Sequence, residues 1–594
     1  VLIIAKYKGK SKIGLDARKL KDGTIKKKGI GIKSPYSHKE LCKKVKNKFG
    51  GKWKPKKKMW SYPLEIEVVD YATEIWSKKG FTLEKSGILK EWYEKRKIER
   101  ENLLINKDRE EVRPEELDTE LANTLYDFQR VGVNFLTETK GAILGFDMGL
   151  GKTITSLAVS DIINASKVLI VCPASLKYNW AEEIEKWLPN KKYSILDGSK
   201  KKRIKALNSD VDFYITNYAS LREKSRVKVN GNWIKIDNEL FKEINKQNFD
   251  IGIYDEIHRA KNRKSQQTKA LYKIANGIDR NYLLTGTPII NTPEDLWSLL
   301  HIIDRNKFSS FWRFIHRYCE VWNNGFGKEI GSAKNPKEFR KMLKPYMLRR
   351  LKEEVIEDMP KLTKQKQWVE LEGEQNKIYH QMEENMIAEL SEQEEIKAPI
   401  IISKIMRLKQ ISVSEQLLAE KPSLKKFKKS AKIKVLNEII DDSGDQKLVV
   451  FTQFQKSAKL LAKLLDKQKI GYGIIHGGVK TEQRQKEVNK FQNNKDCKVF
   501  IATIKTGGLG LTLTAGSIAV FLDKDWTTAN NNQAVDRLHR IGQEKNVTVI
   551  ELLAKDSIEE YIEKLLAEKQ KTFDSLIEGK ITPKEILLNL KGSN

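Results

Sequence analysis

Two separate series of short β-branched runs, each interleaved with helical patterns, constrain this chain more than any other feature. The first series is AILGF at 142–146, KVLIVCP at 167–173, DFYITN at 212–217, FDIGIYDE at 249–256 and NYLLTGTP at 281–288. The second is KLVVFTQF at 447–454, GYGIIHG at 471–477, CKVFIATI at 497–504, IAVFLDKD at 518–525 and NVTVIELL at 546–553. Strands fed by helices at this spacing need crossover connections, so each series predicts an α/β lobe built on a parallel sheet. Residues 298–430 break the rhythm: they are charged and mostly helical in pattern, with Glu/Gln-rich runs around 373–396. The expected division is a first lobe over 119–297, helical protrusions and an inter-lobe linker over 298–430, a second lobe over 431–575 and a tail over 576–594.

Ahead of the lobes, residues 1–80 read as a small basic α+β module and 81–118 as a helical linker. Lysine runs at 26–28, 43–48 and 54–58 are interrupted by Phe49, Trp53, Trp60 and Tyr62. Aromatics amid lysines can stack on exposed bases while the lysines hold phosphates. Equally, Trp53 and Trp60 can fill the core of a small hairpin. The whole chain carries 111 Lys+Arg against 79 Asp+Glu, a net charge of +32. That excess favours a polyanionic partner, because each phosphate neutralised releases a condensed counterion.

Four cysteines (Cys42, Cys172, Cys319, Cys497) form no Cys-x-x-Cys pair. Their spacing argues against structural zinc and a disulfide framework and fits a reducing compartment. No apolar run approaches the roughly 18–20 residues that span a bilayer, and the N-terminal VLIIA soon gives way to lysines, a poor signal peptide. The chain is therefore read as intracellular with no membrane partner: cytoplasmic or nucleoid-associated in a prokaryote, nuclear in a eukaryote. It opens on Val1, which suggests a trimmed start.

The strongest chemical signal is Asp147-Met148-Gly149-Leu150-Gly151-Lys152-Thr153, directly after the AILGF run and opening a helical pattern. Glycines there let backbone N–H groups and a helix N-terminus close around phosphates. Lys152 would reach the β/γ-phosphates and Thr153 would hold Mg²⁺. The strict pattern asks for Gly where Phe146 stands, so a chance glycine-rich turn is the competing reading. About a hundred residues on, Asp255-Glu256-Ile257-His258 closes another strand. Asp255 would bind Mg²⁺ and Glu256 would polarise a hydrolytic water, a role acids take at strand C-terminal ends. Most Asp-Glu pairs are solvated loop charges; a phosphate loop upstream gives this one meaning. Near the end, Gln533, Arg537 and Arg540 are spaced four and three apart, which predicts one helical stripe. Two arginines so placed can reach a γ-phosphate as charge-assisted forks, or form a solvated basic face.

The ordered set LYDFQ 125–129, DMGLGKT 147–153, DEIH 255–258, LLTGTPIIN 283–291, MLRRLKEEV 347–355, VVFTQF 449–454, ATIKTGGLGLTL 502–513 and QAVDRLHRIGQ 533–543 resembles the Swi/Snf-type ATPases of helicase superfamily two. The resemblance covers about 119–575 and implies two RecA-like lobes using ATP and Mg²⁺ to move on double-stranded or branched DNA, gripped without sequence specificity. It implies that Phe128 and Gln129 recognise adenine, and that Gly149, Gly151, Lys152, Thr153 and Asp255 bind nucleotide and metal. Gly510, Arg537 and Arg540 would complete the site from the second lobe, the arginines as fingers. His258, Thr285, Thr287 and Gln533 would couple nucleotide to lobe movement. Trp180, Thr216, Gln453 and Thr503 lie in blocks that line the family's DNA groove. The sequence departs from the pattern at Phe146 (usually an acid), Ile257 (usually Ala) and Thr527-Thr528 (usually Asn-Pro), which bears on lobe closure.

The stretch Pro35-Tyr36 with FGGKWKPKKKMWSYPLE at 49–65 resembles the HARP-type module of annealing helicases. It implies a preference for forks or junctions, and adds Trp53 and Trp60 to the DNA-binding candidates. A monomer with no known protein partner is expected. Competing readings are a nucleosome or transcription-complex remodeller, a defence-system translocase, and a nucleic-acid-binding scaffold with a silent ATP site.

Overall fold

Alternation along the strands decides the architecture. In Val168–Cys172, Leu169 and Val171 pack into one hydrophobic layer while Val168, Ile170 and Cys172 pack into the opposite one. Val449 and Phe451 separate from Leu448 and Val450 in the same way. Strands apolar on both faces must be covered by helices on both sides, the condition for a parallel α/β sheet. The computed structural model describes residues 11–19, 25–109, 111–222, 224–229, 232–286, 293–323, 328–334, 336–355, 359–391, 398–479, 481–507, 511–526 and 528–563.

The first lobe holds a seven-stranded, all-parallel sheet. Its order is Met347–Arg350, Gly141–Phe146, Arg280–Leu284, Ile251–Tyr254, Val168–Cys172, Phe213–Asn217 and Tyr193–Ile195. The second lobe holds a six-stranded, all-parallel sheet ordered Leu362–Val369, Val547–Ala554, Gly516–Phe521, Lys447–Thr452, Cys497–Thr503 and Gly471–Ile475. Both expected lobes are present as α/β units. The segment 298–430, expected to be mostly helical, carries helices Phe311–Tyr318, Gly373–Ser391 and Ala398–Val413 but also supplies strands that were not expected. Met347–Arg350 is the edge strand of the first sheet, and Leu362–Val369 is the edge strand of the second. Its basic and polar residues obscured the alternation, because an edge strand needs no full apolar cover. Cys319–Asn323 and Lys328–Ala333 also pair as a hairpin in that segment.

The N-terminal module is α+β, a five-stranded sheet carrying helices Lys39–Phe49 and Ile66–Ser77. Leu41, Val45, Phe49, Val68, Ala72 and Trp76 close its core over Ile13, Ile30 and Ile32. The module sits against the first lobe. The Arg317 guanidinium lies 4.4 Å over the Phe49 ring and pairs with Glu65 at 3.2 Å, while Lys307 pairs with Glu67 at 3.3 Å. Among the described residues, no helix is long and apolar enough to cross a membrane.

Candidate active site

Strand Gly141–Phe146 ends in a turn that feeds helix Lys152–Ile162. Gly149 and Gly151 take φ of +87° and +75°, values that side chains with a Cβ rarely adopt. Gly151 has no room either: a Cβ there would meet Gln129 Nε2 at 2.2 Å. The loop thus curls at a helix N-terminus, where free N–H groups and the helix dipole favour an anion. Lys152 Nζ donates to the carbonyls of Phe146 and Asp147 at 2.9 and 3.1 Å. Burial pushes the Lys152 ammonium down, and the charges of Glu256 and Asp255 partly offset this.

Strand Ile251–Tyr254 delivers the acids. Glu256 takes φ of +51°, a left-handed backbone that costs about 1–3 kcal/mol in a residue with a Cβ and is held by its surroundings. Asp255 is fixed on three sides. Its N–H donates to the Val171 carbonyl at 2.8 Å, the Trp180 indole N–H donates to its Oδ2 at 3.0 Å, and the Tyr218 hydroxyl donates to its carbonyl at 2.6 Å. Burial and then the Glu256 charge lift the Asp255 carboxyl to about 6, against the Trp180 bond and Lys152. Burial acts on Glu256 too, but His258, Lys152 and Arg537 outweigh it and lower that carboxyl. Glu256 Oε2 lies 3.2 Å from His258 Nδ1.

The second lobe brings its arginines against the loop. Arg537 Nη2 donates to Met148 Sδ at 3.7 Å, and a Cβ on Gly149 would meet Arg540 Cβ at 2.7 Å. Arg540 Nη1 donates to Thr512 Oγ1 at 2.9 Å; burial and then Arg537 push its guanidinium down to about 10. The expected helical stripe is corrected here: the α-helix spans Thr528–Val535 and stops before either arginine. Arg537 and Leu538 continue only in i→i+3 turns onto Ala534 and Val535, while the Arg537 carbonyl accepts from Leu513 at 2.9 Å. Gln543 Nε2 lies 3.0 Å from each of the carbonyls of Leu538, Thr514 and Gly516, so it serves one acceptor past the helix end and ties that turn to the start of strand Gly516–Phe521. Spacing of four and three fits a helix and a tight turn alike. Gln533 stays half-buried on the helix itself.

The remaining candidates divide. Gln129 caps its helix by accepting from Tyr126 N–H at 3.0 Å and donates to the Leu150 carbonyl at 3.1 Å, so it ties that helix to the phosphate loop. Phe128 is buried, and Tyr126 stacks on it at 5.8 Å with 53 % of its own surface exposed. Thr285 is buried beside the loop strand, its N–H donating to the Leu144 carbonyl at 3.2 Å. Thr287 and Gly510 lie outside the described residues.

The structure encloses the side chains of three groove candidates, Trp180, Thr216 and Thr503. Trp180 is 2 % exposed, and Thr216 and Thr503 are also buried. The enclosed indole donates to Asp255 and so supports that carboxylate. Thr503 bonds Thr506 at 2.8 Å. Gln453 is half-buried, its amide donating to the Lys524 carbonyl. In the module, Trp53 and Trp60 face each other across a hairpin with ring centroids 5.7 Å apart; Trp53 is 48 % exposed, and Lys46 lies 5.5 Å over Trp60. Trp53 therefore does not fill the core, and Trp60 packs at its margin.

Sequence reasoning missed Tyr126, Tyr218 and Gln543 as site-building residues, and missed Lys352. The first and third stand inside quoted motifs, where an exposed aromatic or a terminal amide is a usable signal. Tyr218 carries no local signal, and Lys352, though inside the quoted block at 347–355, finds its side-chain partners far away in sequence.

The loop and acids fit a phosphate-bound divalent cation. Among the described residues no cluster of three or more His, Cys, Asp or Glu could hold a metal alone. A hydroxyl from Thr153 and a carboxylate from Asp255 supply only two hard oxygens, the sparse set that suits Mg²⁺ shared with substrate phosphates.

The chain is similar in sequence to known proteins. The SNF2-related domain matches residues 67–417, and the helicase conserved C-terminal domain matches 431–542. An uncharacterised ATP-dependent helicase of Mycoplasma genitalium is 31% identical over 76% of this chain and 42% of its own length. The DNA annealing helicase and endonuclease ZRANB3 of Homo sapiens is 29% identical over 78% of this chain and 41% of its own. This chain thus spans about two fifths of these curated relatives. The solved SWI2/SNF2 ATPase core of Sulfolobus solfataricus in complex with dsDNA aligns at 27% identity, over 79% of this chain and 95% of that one, with a TM-score of 0.37. With a phosphate loop, an acidic strand end and two arginines meeting where its two matched domains face each other, the chain belongs to the SNF2-related family.

Proposed function

We propose that this chain hydrolyses ATP to translocate on double-stranded DNA and so remodels DNA structures or protein–DNA complexes. The observation that carries the reading is the meeting of Arg537 and Arg540 with the Met148–Gly149 turn of the phosphate loop. Such a site is complete only while the lobes are together, which makes hydrolysis report on lobe position.

In this reading Lys152 and the loop N–H groups bind the β/γ-phosphates, and Tyr126 offers the base a stacking surface. Thr153 and Asp255 hold Mg²⁺, which neutralises charge building on the phosphates. Glu256, kept ionised beside Lys152 and Arg537, accepts a proton from the attacking water. Arg537 and Arg540 stabilise the transferring phosphoryl group. Separation of the lobes after hydrolysis would then move gripped DNA in steps. The grip is mainly on phosphates, hence steeply salt-dependent and indifferent to sequence.

A finer reading, annealing or fork remodelling, is favoured by the exposed Trp53 beside Trp60 and Lys46 on a module docked to the first lobe. The test is steady-state ATP hydrolysis with no DNA, single strand, linear duplex and a forked duplex. Stimulation by duplex supports the motor, and a further gain on forks that Trp53→Ala removes supports the finer reading. No stimulation by any DNA, in folded protein that binds ATP, overturns the proposal.

A further inference from the structure

We infer that Lys352 is a positioning residue that couples the phosphate loop to the arginine segment of the second lobe. The inference rests on the nucleotide reading above and deepens it.

Lys352 opens the short helix Lys352–Val355, just past the edge strand Met347–Arg350 of the first lobe. That strand pairs with Gly141–Phe146, and the pairing runs on into the loop: Asp147 N–H donates to the Arg350 carbonyl at 3.0 Å. The Asp147 carboxylate then accepts from Lys352 N–H at 3.2 Å. The backbone of residue 352 is thus fastened to the first residue of the phosphate loop. Its side chain crosses to the other lobe, where Nζ donates to the Asp536 carboxylate and to the His539 carbonyl at 2.6 Å. Lys352 is only 7 % exposed, and a Cβ on Gly149 would lie 3.8 Å from its Cε.

The two acceptors are the residues immediately before Arg537 and Arg540. Because the helix stops at Val535, these residues sit in a turn whose carbonyls lack helical partners. An ammonium with three donors and a slim stem can take one carboxylate and one carbonyl there at once. The His539 ring adds a second tie, with Nε2 2.7 Å from the Pro360 carbonyl on the inter-lobe connector. One lysine therefore has its main chain on the loop and its charge on both arginine-bearing residues' neighbours. Movement of the loop at Asp147 reaches the arginines through it.

The test uses the full chain with linear duplex DNA. Lys352→Met keeps the stem and removes the ammonium; Lys352→Arg keeps the charge; Asp536→Asn alters the partner. Steady-state kcat and KM for ATP are measured beside direct binding of a fluorescent ATP analogue. Lys352→Met should lower kcat on the order of 10²-fold, the effect of misplacing a catalytic group by about 1 Å, with nucleotide affinity changed less than about threefold. Lys352→Arg should recover part of the loss, and the Lys352→Met/Asp536→Asn double variant should be no slower than Lys352→Met, since coupled groups are non-additive. A second readout is inter-lobe energy transfer between dyes on cysteines introduced at exposed Lys201 and Lys467; the four native cysteines are buried. Lys352→Met should broaden that distance distribution.

A kcat within about twofold of the parent, losses that multiply in the double variant, or affinity falling in step with kcat would each overturn the coupling role. If Lys352→Met does not fold, Asp536→Asn and Lys352→Arg decide by the same criteria. If the unmodified chain hydrolyses no ATP with any DNA, the proposed function fails while the energy-transfer arm still reads Lys352: an unchanged distribution sinks the inference separately.

Discussion

The two lobes are built alike and contribute to the site in opposite ways. Each is an all-parallel sheet with apolar layers on both faces. In the first lobe the described groups are tied largely by contacts within that lobe: Gln129 on Leu150, Trp180 and Tyr218 on Asp255, left-handed glycines in the loop. In the second lobe the arginines leave the regular helix and take their places against Met148, Gly149 and, through Asp536 and His539, Lys352. In the proposed reading the first lobe alone would hold nucleotide, while the second lobe supplies groups that are tied both to their own lobe and to its neighbour. A site divided this way can bind without turning over.

The sharpest break of this contrast comes from within the first lobe. Lys152→Ala should abolish turnover by removing nucleotide binding, whereas Glu256→Gln should bind ATP and DNA and stop hydrolysing, seen as retained affinity with no phosphate release. Robust hydrolysis by Glu256→Gln would falsify its role as the base. Next in size, Arg537→Ala or Arg540→Ala should cost on the order of 10³ in kcat with nucleotide affinity kept. An arginine variant that loses affinity and keeps kcat would make the second lobe a binder like the first.

Trp180→Phe tests whether the first lobe's internal support matters. It removes the indole donor to Asp255 and should slow hydrolysis about tenfold, roughly one charge-assisted hydrogen bond. An unchanged rate at low Mg²⁺ would assign Trp180 to packing alone.

The smallest effect is expected in the N-terminal module, which is also tied from within. Burial alone would raise the Asp16 carboxyl, but hydrogen bonds from Lys54, Lys57 and Ser61 outweigh it and lower it to about 2 from 3.8. The folded value lies below the unfolded one, so this stabilisation is present above pH 3.8 and is lost as pH falls towards 2. Denaturation of the chain and of Asp16→Asn, followed by tryptophan fluorescence, should differ at pH 6 and converge near pH 2.

What could be read from the residues follows the range of the forces involved. Apolar β-branched runs and glycines at a strand end are local, so both sheets and the glycine turn after Gly141–Phe146 were legible. The edge strands Met347–Arg350 and Leu362–Val369 were not, because one open side frees them to be basic and polar. The turn at 536–540 read as helix, since spacing cannot tell the two apart and the deciding bonds come from Gln543 and Leu513. Trp180 was assigned by the block it stands in, and only the fold shows that its indole faces Asp255, 75 residues away. Lys352 stands in the quoted block at 347–355, but nothing local gives it a role; its carboxylate partner lies 184 residues on.

The short connection between the sheets has a further consequence. Strand Met347–Arg350 belongs to one lobe and Leu362–Val369 to the other, so at most eleven residues join them. Fully extended, that tether reaches roughly 40 Å. The arginines are therefore held at an effective concentration on the order of millimolar around the phosphate loop even when the lobes part. Re-encounter is a first-order event on the same molecule, and its rate does not depend on how much protein the cell makes.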